Sequence, residues 1–179
     1  EHHPRKDRQP GRYGDITGRV PPEPTGGWRR EVREGLDYSE GTCAEETEDR
    51  NRTWINDRIV DLYTSLHFNG HGQSIECWRD QQLVGGLYGI SLKGVFFGES
   101  MFSRETDASK IALVHLATRL SVGGFVFIDT QFITKHLSQF GAVEVPRNEY
   151  RGMLAAALKI EAEFNSNYGP NDLAVILQQ

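Results

Sequence analysis

Cysteine is scarce in this chain: Cys43 and Cys77 are the only two in 179 residues. Their spacing fits no metal-ligand pattern, and two thiols cannot build a disulfide framework, so zinc-ribbon and disulfide-scaffold classes are excluded. Both read as ordinary thiols of a reducing, cytoplasmic compartment. No apolar run approaches the roughly 18 residues of a membrane span, and the N-terminus lacks a signal-peptide core, so no membrane partner is expected. An excess of positive charge is missing too: 20 Lys and Arg face 25 Asp and Glu, a formal net charge of −5. Nucleic-acid binders usually present a basic face, so contact with nucleic acid would need a local patch. The early clusters Arg5-Lys6-Asp7-Arg8 and Arg29-Arg30-Glu31-Val32-Arg33 supply one, beside the acidic run Glu45 to Asp49; the plainer reading of each is a solvated face. No internal repeat is visible.

What is present is the composition of a soluble globular protein, 37% hydrophobic, 10% aromatic and 25% charged, long enough for one sizeable core. Residues 1 to about 27 carry Pro4, Pro10, Pro21, Pro22, Pro24 and Gly26-Gly27 with hardly any apolar periodicity, and read as an irregular arm. The texture changes near Trp54. We therefore divide the chain into an irregular N-terminal segment, 1–52, and a folded domain, 53–179.

Ile59, Leu62, Tyr63 and Leu66 recur at helical spacing, with Asn56 or Asp57 placed to cap the helix and Gly70 to end it. Ser74 to Trp78 and Gln82 to Leu92 read as a hairpin turning at Arg79-Asp80-Gln81, and Gly94 to Glu99 as a third strand. Gly85-Gly86 inside a strand pattern marks a bulge or a close approach. Asp107 is placed to cap a helix through about Ser121 with Ile111, Val114, Leu116 and Leu120 inward. Phe125 to Gln131 reads as a buried central strand. A short element at Thr134 to Gln139, a strand at Ala142 to Val145 and a helix from about Asn148 to Phe164 follow; Asn165 to Gln179 is weakly patterned. This order predicts an α+β fold with a central mixed sheet flanked by helices.

Three blocks concentrate chemistry: Leu83-Val84-Gly85-Gly86-Leu87-Tyr88-Gly89, Phe97-Gly98-Glu99-Ser100-Met101-Phe102-Ser103-Arg104, read as a strand end and the loop after it, and Ile128-Asp129-Thr130-Gln131. Together with Ser74 to Trp78, Ala108-Ser109-Lys110, His136-Leu137, Gly141-Ala142 and Pro146-Arg147, they resemble the leucyl/phenylalanyl-tRNA–protein transferases over just over half the chain. The resemblance does not extend before about Cys43. It implies a GNAT-like acyltransferase fold. It also implies an enzyme that moves Leu or Phe, with Met as a third donor residue, from charged tRNA to the N-terminal Lys or Arg of acceptor proteins by direct aminolysis, marking them for degradation. No cofactor is implied, and nothing in the sequence sets an oligomeric state.

Asp129 and Gln131 lie two apart on the expected strand, where side chains share a face, so both can meet one pocket. An amide cannot act as a proton base at neutral pH, but Gln131 can hold the attacking amine or the carbonyl in line while Asp129 polarises it. The resemblance assigns this pair such a relay; local backbone bonding is the alternative. Glu99, at the end of an apolar strand, needs a partner or solvent; it can meet the basic first residue of the acceptor, or pair with Arg104 or Lys110. The resemblance places Leu87, Phe96, Leu113, Leu116 and Leu120 around the donor side chain, with Ser103, Met101 and Phe102 as further substrate contacts; each apolar one can equally be core. Arg29, Arg30, Arg33, Arg104 and Lys110 are the candidate tRNA contacts.

His67 and His71 are spaced to share a metal, but no third ligand accompanies them, so none is expected. Cys77 sits in a strand pattern as a buried thiol, and aminolysis needs no acyl-enzyme. Two other functions fit parts of the sequence. An acetyl-CoA-dependent N-acetyltransferase of the same fold would need a Gly-rich turn for the pyrophosphate, whereas Met101 to Ala108 has no glycine and two acids. A non-catalytic module binding tRNA or protein N-termini would need the apolar pocket but not Asp129 or Gln131.

Overall fold

A computed structural model describes residues 12–14, 31–33, 57–164 and 167–177, the first two segments in their backbone only. Seven strands form one sheet: β1 (Arg12–Gly14), β2 (Glu31–Arg33), β3 (Gly72–Arg79), β4 (Gln82–Leu92), β5 (Val95–Ser103), β6 (Phe127–Asp129) and β7 (Ala142–Glu144), in the order β2-β3-β4-β5-β6-β1-β7. The β5–β6 pair is parallel and every other pair antiparallel. The helices are α1 (Asp57–Phe68), α2 (Ala108–Val122), α3 (Lys135–Ser138), α4 (Arg147–Ala157) and α5 (Pro170–Leu177). This is the expected α+β architecture with a central mixed sheet.

Two faces are covered differently. On one, α2 packs against Ile75, Cys77, Leu87, Phe96 and Ile128, and Ile176 of α5 joins the same cluster. The helix is expected to bury one stripe; Leu113 and every residue from His115 to Leu120 are buried, because sheet and C-terminal segment enclose it from two sides. On the other face, α1 covers Leu83, Tyr88 and Phe102 through Ile59 and Tyr63, and α4 covers Val95 and Phe127 through Tyr150, Met153 and Leu154. Leu62, expected on the inner stripe of α1, is exposed. Gly70 ends that helix at φ +81°, the left-handed C′ conformation glycine adopts without cost.

The hairpin lies where its turn residues placed it, and the Gly85-Gly86 expectation is met in both senses. The β3–β4 register slips between Cys77 and Trp78, beside Gly85. A Cβ on Gly85 would overlap that of Ala108 and stand 3.0 Å from its carbonyl carbon; one on Gly86 would be 2.9 Å from the Ile75 carbonyl oxygen. The first turn of α2 therefore lies directly on β4.

Several boundaries move. β5 continues to Ser103 rather than ending at Glu99, so Ser100 to Ser103 is strand, not loop, held by pairing with Gly85 to Tyr88. β6 is limited to Phe127–Asp129. Asp107 precedes α2, but at φ +66° its side chain makes no cap bond and pairs instead with Lys110. Helix α4 ends at Ala157 rather than Phe164, where the Ala157 carbonyl accepts from both Gly94 and Ile160 N–H groups at 3.0 Å. The weakly patterned tail contains α5: Pro170 opens it, and Asp172 accepts from the Gly169 N–H at 2.8 Å, the half of a capping box that its third residue supplies. The segment read as an irregular arm contributes β1, with Tyr13 opposite Asp129 and Val143.

Candidate functional site

The two parallel strands part at one point. β5 and β6 share three register pairs, Val95↔Phe127, Phe96↔Ile128 and Phe97↔Asp129. β6 then ends while β5 runs on for six residues. In open sheets with parallel strands, ligands collect outside the carboxyl ends of such strands. Gly98, Glu99, Asp129 and Gln131 all lie at this parting.

Asp129 is 6% exposed. Its Oδ1 accepts the Gln131 backbone N–H at 2.8 Å, and its Oδ2 accepts the Tyr150 hydroxyl at 3.4 Å. Gln131 has left the strand and stands at φ +60°, a conformation that local bonding by a preceding Asp stabilises. The expected same-face argument therefore fails: the pair is brought together by a turn, and the carboxylate holds the backbone of Gln131, not its amide group. That amide reaches across the parting, Nε2 donating to the Gly98 carbonyl oxygen at 3.3 Å, which leaves Oε1 as its acceptor.

Glu99 is the extra residue of a bulge: Tyr88 pairs with Ser100 and Gly89 with Gly98, so Glu99 has no opposite number on β4. It is half-buried, and no ion pair joins it to Arg104 or Lys110. Because strand side chains alternate, one extra residue reverses the parity downstream. Met101 consequently joins the α2 face, half-buried against Leu87 and Phe96, whereas Phe102 joins the α1 face.

The expected substrate residues accordingly do not converge on one point. Leu87, Phe96, Leu113, Leu116 and Leu120 all belong to the α2 core, with Met101 on its margin, and Phe102 lies across the sheet. Ser103 is committed to the turn into α2: its hydroxyl donates to the Glu105 carbonyl oxygen at 2.7 Å and accepts from the Ser109 N–H at 3.2 Å. Of the candidate tRNA contacts, Arg29 and Arg30 lie outside the described residues, and Arg33 is described only as backbone in β2. Arg104 donates to the Leu83 carbonyl oxygen at 3.2 Å and lies over the Phe102 ring; Lys110 pairs with Asp107.

Two further residues carry no local signal in the sequence. Tyr150 stands 21 positions from Asp129, and only the packing of α4 on β6 brings it close; no local pattern could have found it. His136, on α3, faces Asp107 and Lys110 with Nε2 buried and without a hydrogen-bond partner among the described residues. Burial, and then the Lys110 charge, holds its pKa below the usual 6.5, with Asp107 opposing. His67 and His71 each donate to a nearby backbone carbonyl, of Gly72 and Ser91. Among the described residues no cluster of three or more His, Cys, Asp or Glu could hold a metal, and no helix is long and apolar enough to cross a membrane.

An α+β domain with a preorganised amide and carboxylate at the parting of two parallel strands has the layout of a domain that handles a ligand at its strand ends. Residues 39–155 match the model of the leucyl/phenylalanyl-tRNA protein transferase family, and the chain belongs to that family. It is 58% identical over 123 residues to the leucyl/phenylalanyl-tRNA–protein transferase of Hyphomonas neptunium, covering 69% of this chain and 48% of the relative. The proteins of the same name from Nitrobacter winogradskyi and Paramagnetospirillum magneticum are 56% identical over 124 residues and 57% over 125. These cover 69% and 70% of this chain, and 55% and 60% of the relatives. The chain thus spans about half the length of the curated relatives it matches.

Proposed function

We propose that this chain carries the catalytic part of an aminoacyltransferase that moves Leu or Phe from charged tRNA to the N-terminal Lys or Arg of acceptor proteins in the cytoplasm. The observation that carries the reading is the Asp129–Gln131 turn with its amide tied to Gly98, inside the stretch matched by the family. A GNAT-like fold for residues 53–179 is supported by the helix-flanked mixed sheet and its single parallel pair that parts at the site. The segment 1–52 would then lend β1 and β2 to that sheet.

In this reading the acceptor α-amine attacks the ester carbonyl carbon. A C–N bond forms, the C–O bond to the tRNA 3′-oxygen breaks, and the amine proton passes to that oxygen. Gln131 Oε1 accepts from the attacking amine and aligns it, because Nε2 is already engaged with Gly98. Asp129 serves by fixing the Gln131 turn, and Glu99, turned out of register by its bulge, meets the cationic side chain of the acceptor. The donor side chain enters at the margin where Met101 leaves the core, with Leu87, Phe96 and Leu113 as floor.

The acetyl-CoA alternative is not favoured. The turn into α2 is filled by the Arg79–Glu105 and Asp107–Lys110 ion pairs, which put carboxylates where a pyrophosphate would sit. The deciding test is transfer of labelled Leu or Phe from tRNA to peptides beginning with Lys, Arg, Ala or Glu, with acetyl-CoA as rival donor. Label on Lys and Arg peptides only, from tRNA only, is the expected result; acetylation of any peptide overturns the reading.

A further inference from the structure

We propose that Tyr150 is a positioning residue of this site: by holding the second oxygen of Asp129, its hydroxyl keeps the Gln131 turn in its working geometry. The proposal rests on the transferase reading above only for what the turn is used for. A carboxylate fixed at one oxygen can still swing, because its terminal torsion is broad; held at both oxygens, its plane is set. The Gln131 N–H takes Oδ1 at 2.8 Å and the Tyr150 hydroxyl takes Oδ2 at 3.4 Å.

The hydroxyl is delivered by a well-anchored ring. Phe127 and Asp129 are two apart on β6 and share a face. The Tyr150 ring packs edge-on against Phe127, with centroids 6.4 Å apart at 77°, and so places its hydroxyl one strand repeat further, at Asp129. Its backbone is held in the first turn of α4 by a 2.9 Å bond from the Tyr150 N–H to the Pro146 carbonyl oxygen. What Asp129 restrains is costly to hold: a non-glycine residue at φ +60° keeps that conformation only where its surroundings impose it. The distance to Oδ2 is long for an O–H···O bond, so its loss should loosen the turn without dismantling the fold.

The test is Tyr150→Phe, which removes one oxygen and leaves the ring packing. We expect kcat for transfer to fall about three- to tenfold, with KM for charged tRNA and for an Arg-starting peptide within about twofold. In an Asp129→Ala background the same change should alter kcat by less than about twofold, since a residue acting through Asp129 has nothing left to act on. Independently of activity, hydrogen exchange of the Gln131 backbone amide should quicken several-fold in Tyr150→Phe while amides of β4 keep their rates. Unchanged Gln131 exchange, or equal kcat losses in the two backgrounds, would overturn the proposal. A wild-type protein that transfers nothing, together with accelerated Gln131 exchange in Tyr150→Phe, would overturn the transferase reading and uphold the positioning role.

Discussion

Asp129 shows how a residue can be legible while its task is not. Its place beside Gln131 at the end of an apolar run marks it as a site residue, but the carboxylate holds a backbone N–H rather than a side-chain amide. The distinction predicts an order of effects. Asp129→Ala should lower the transfer rate at least tenfold, about 1.4 kcal/mol or more, because Gln131 then loses its restraint. Asp129→Asn should cost less, since an amide oxygen can still accept that N–H. Single-turnover rates at saturating charged tRNA will show the order; equal losses would mean that the negative charge is what matters. Glu99 was legible as an out-of-place acid, but that it is a bulge appears only when Tyr88 and Gly89 are seen skipping it.

Elements meet here through small residues and one register shift. Gly85→Ala would drive a methyl into Ala108 at the first turn of α2, where backbone stands 3.0 Å from the new atom. Overpacking of this kind typically costs about 1–3 kcal/mol, so the urea midpoint should fall with little change in slope. Deleting Glu99 is the stronger test of strand parity. Without it Gly98 and Ser100 become neighbours in a regular ladder, so Met101 keeps the α2 face and Phe102 the α1 face. Both Glu99→Ala and the deletion should therefore keep cooperative unfolding in calorimetry, and loss of the cooperative transition in the deletion alone would show that the bulge itself is needed to hold the sheet. The hairpin and α1 could be read locally because Gly70 and the Asp80-Gln81 turn act within a few residues. The end of α4 could not, because it is set by Gly94, more than sixty positions away, bonding to Ala157.

For the molecule as a whole, the titration of His136 gives a test of how the folded chain buries a titratable group. Its folded pKa lies below 6.5, chiefly through burial and then through the Lys110 charge. The unfolded chain therefore binds more protons as pH falls below about 6.5, and stability falls with it. His136→Phe removes that linkage. Its melting temperature should drop less than wild type between pH 7.5 and pH 5.5, and the two curves should run parallel above pH 7.5. A wild-type curve parallel to the variant throughout would show that His136 titrates as it does in the unfolded chain.

The sequence by itself determined the α+β class, the hairpin, the buried central strand and the identity of the polar residues at its end, since periodicity, turn chemistry and glycine placement act over a few positions. It also carried the family resemblance, which rests on short ordered blocks. Tertiary structure alone decided which face each residue of β5 took, because a single bulge at Glu99 resets the alternation. It packed Leu113 and its neighbours into the core, because the C-terminal segment closes over α2 from the far side. It brought Tyr150 to Asp129 as well, since a contact across 21 residues is made by the packing of α4 on β6 and leaves no trace in the residues between.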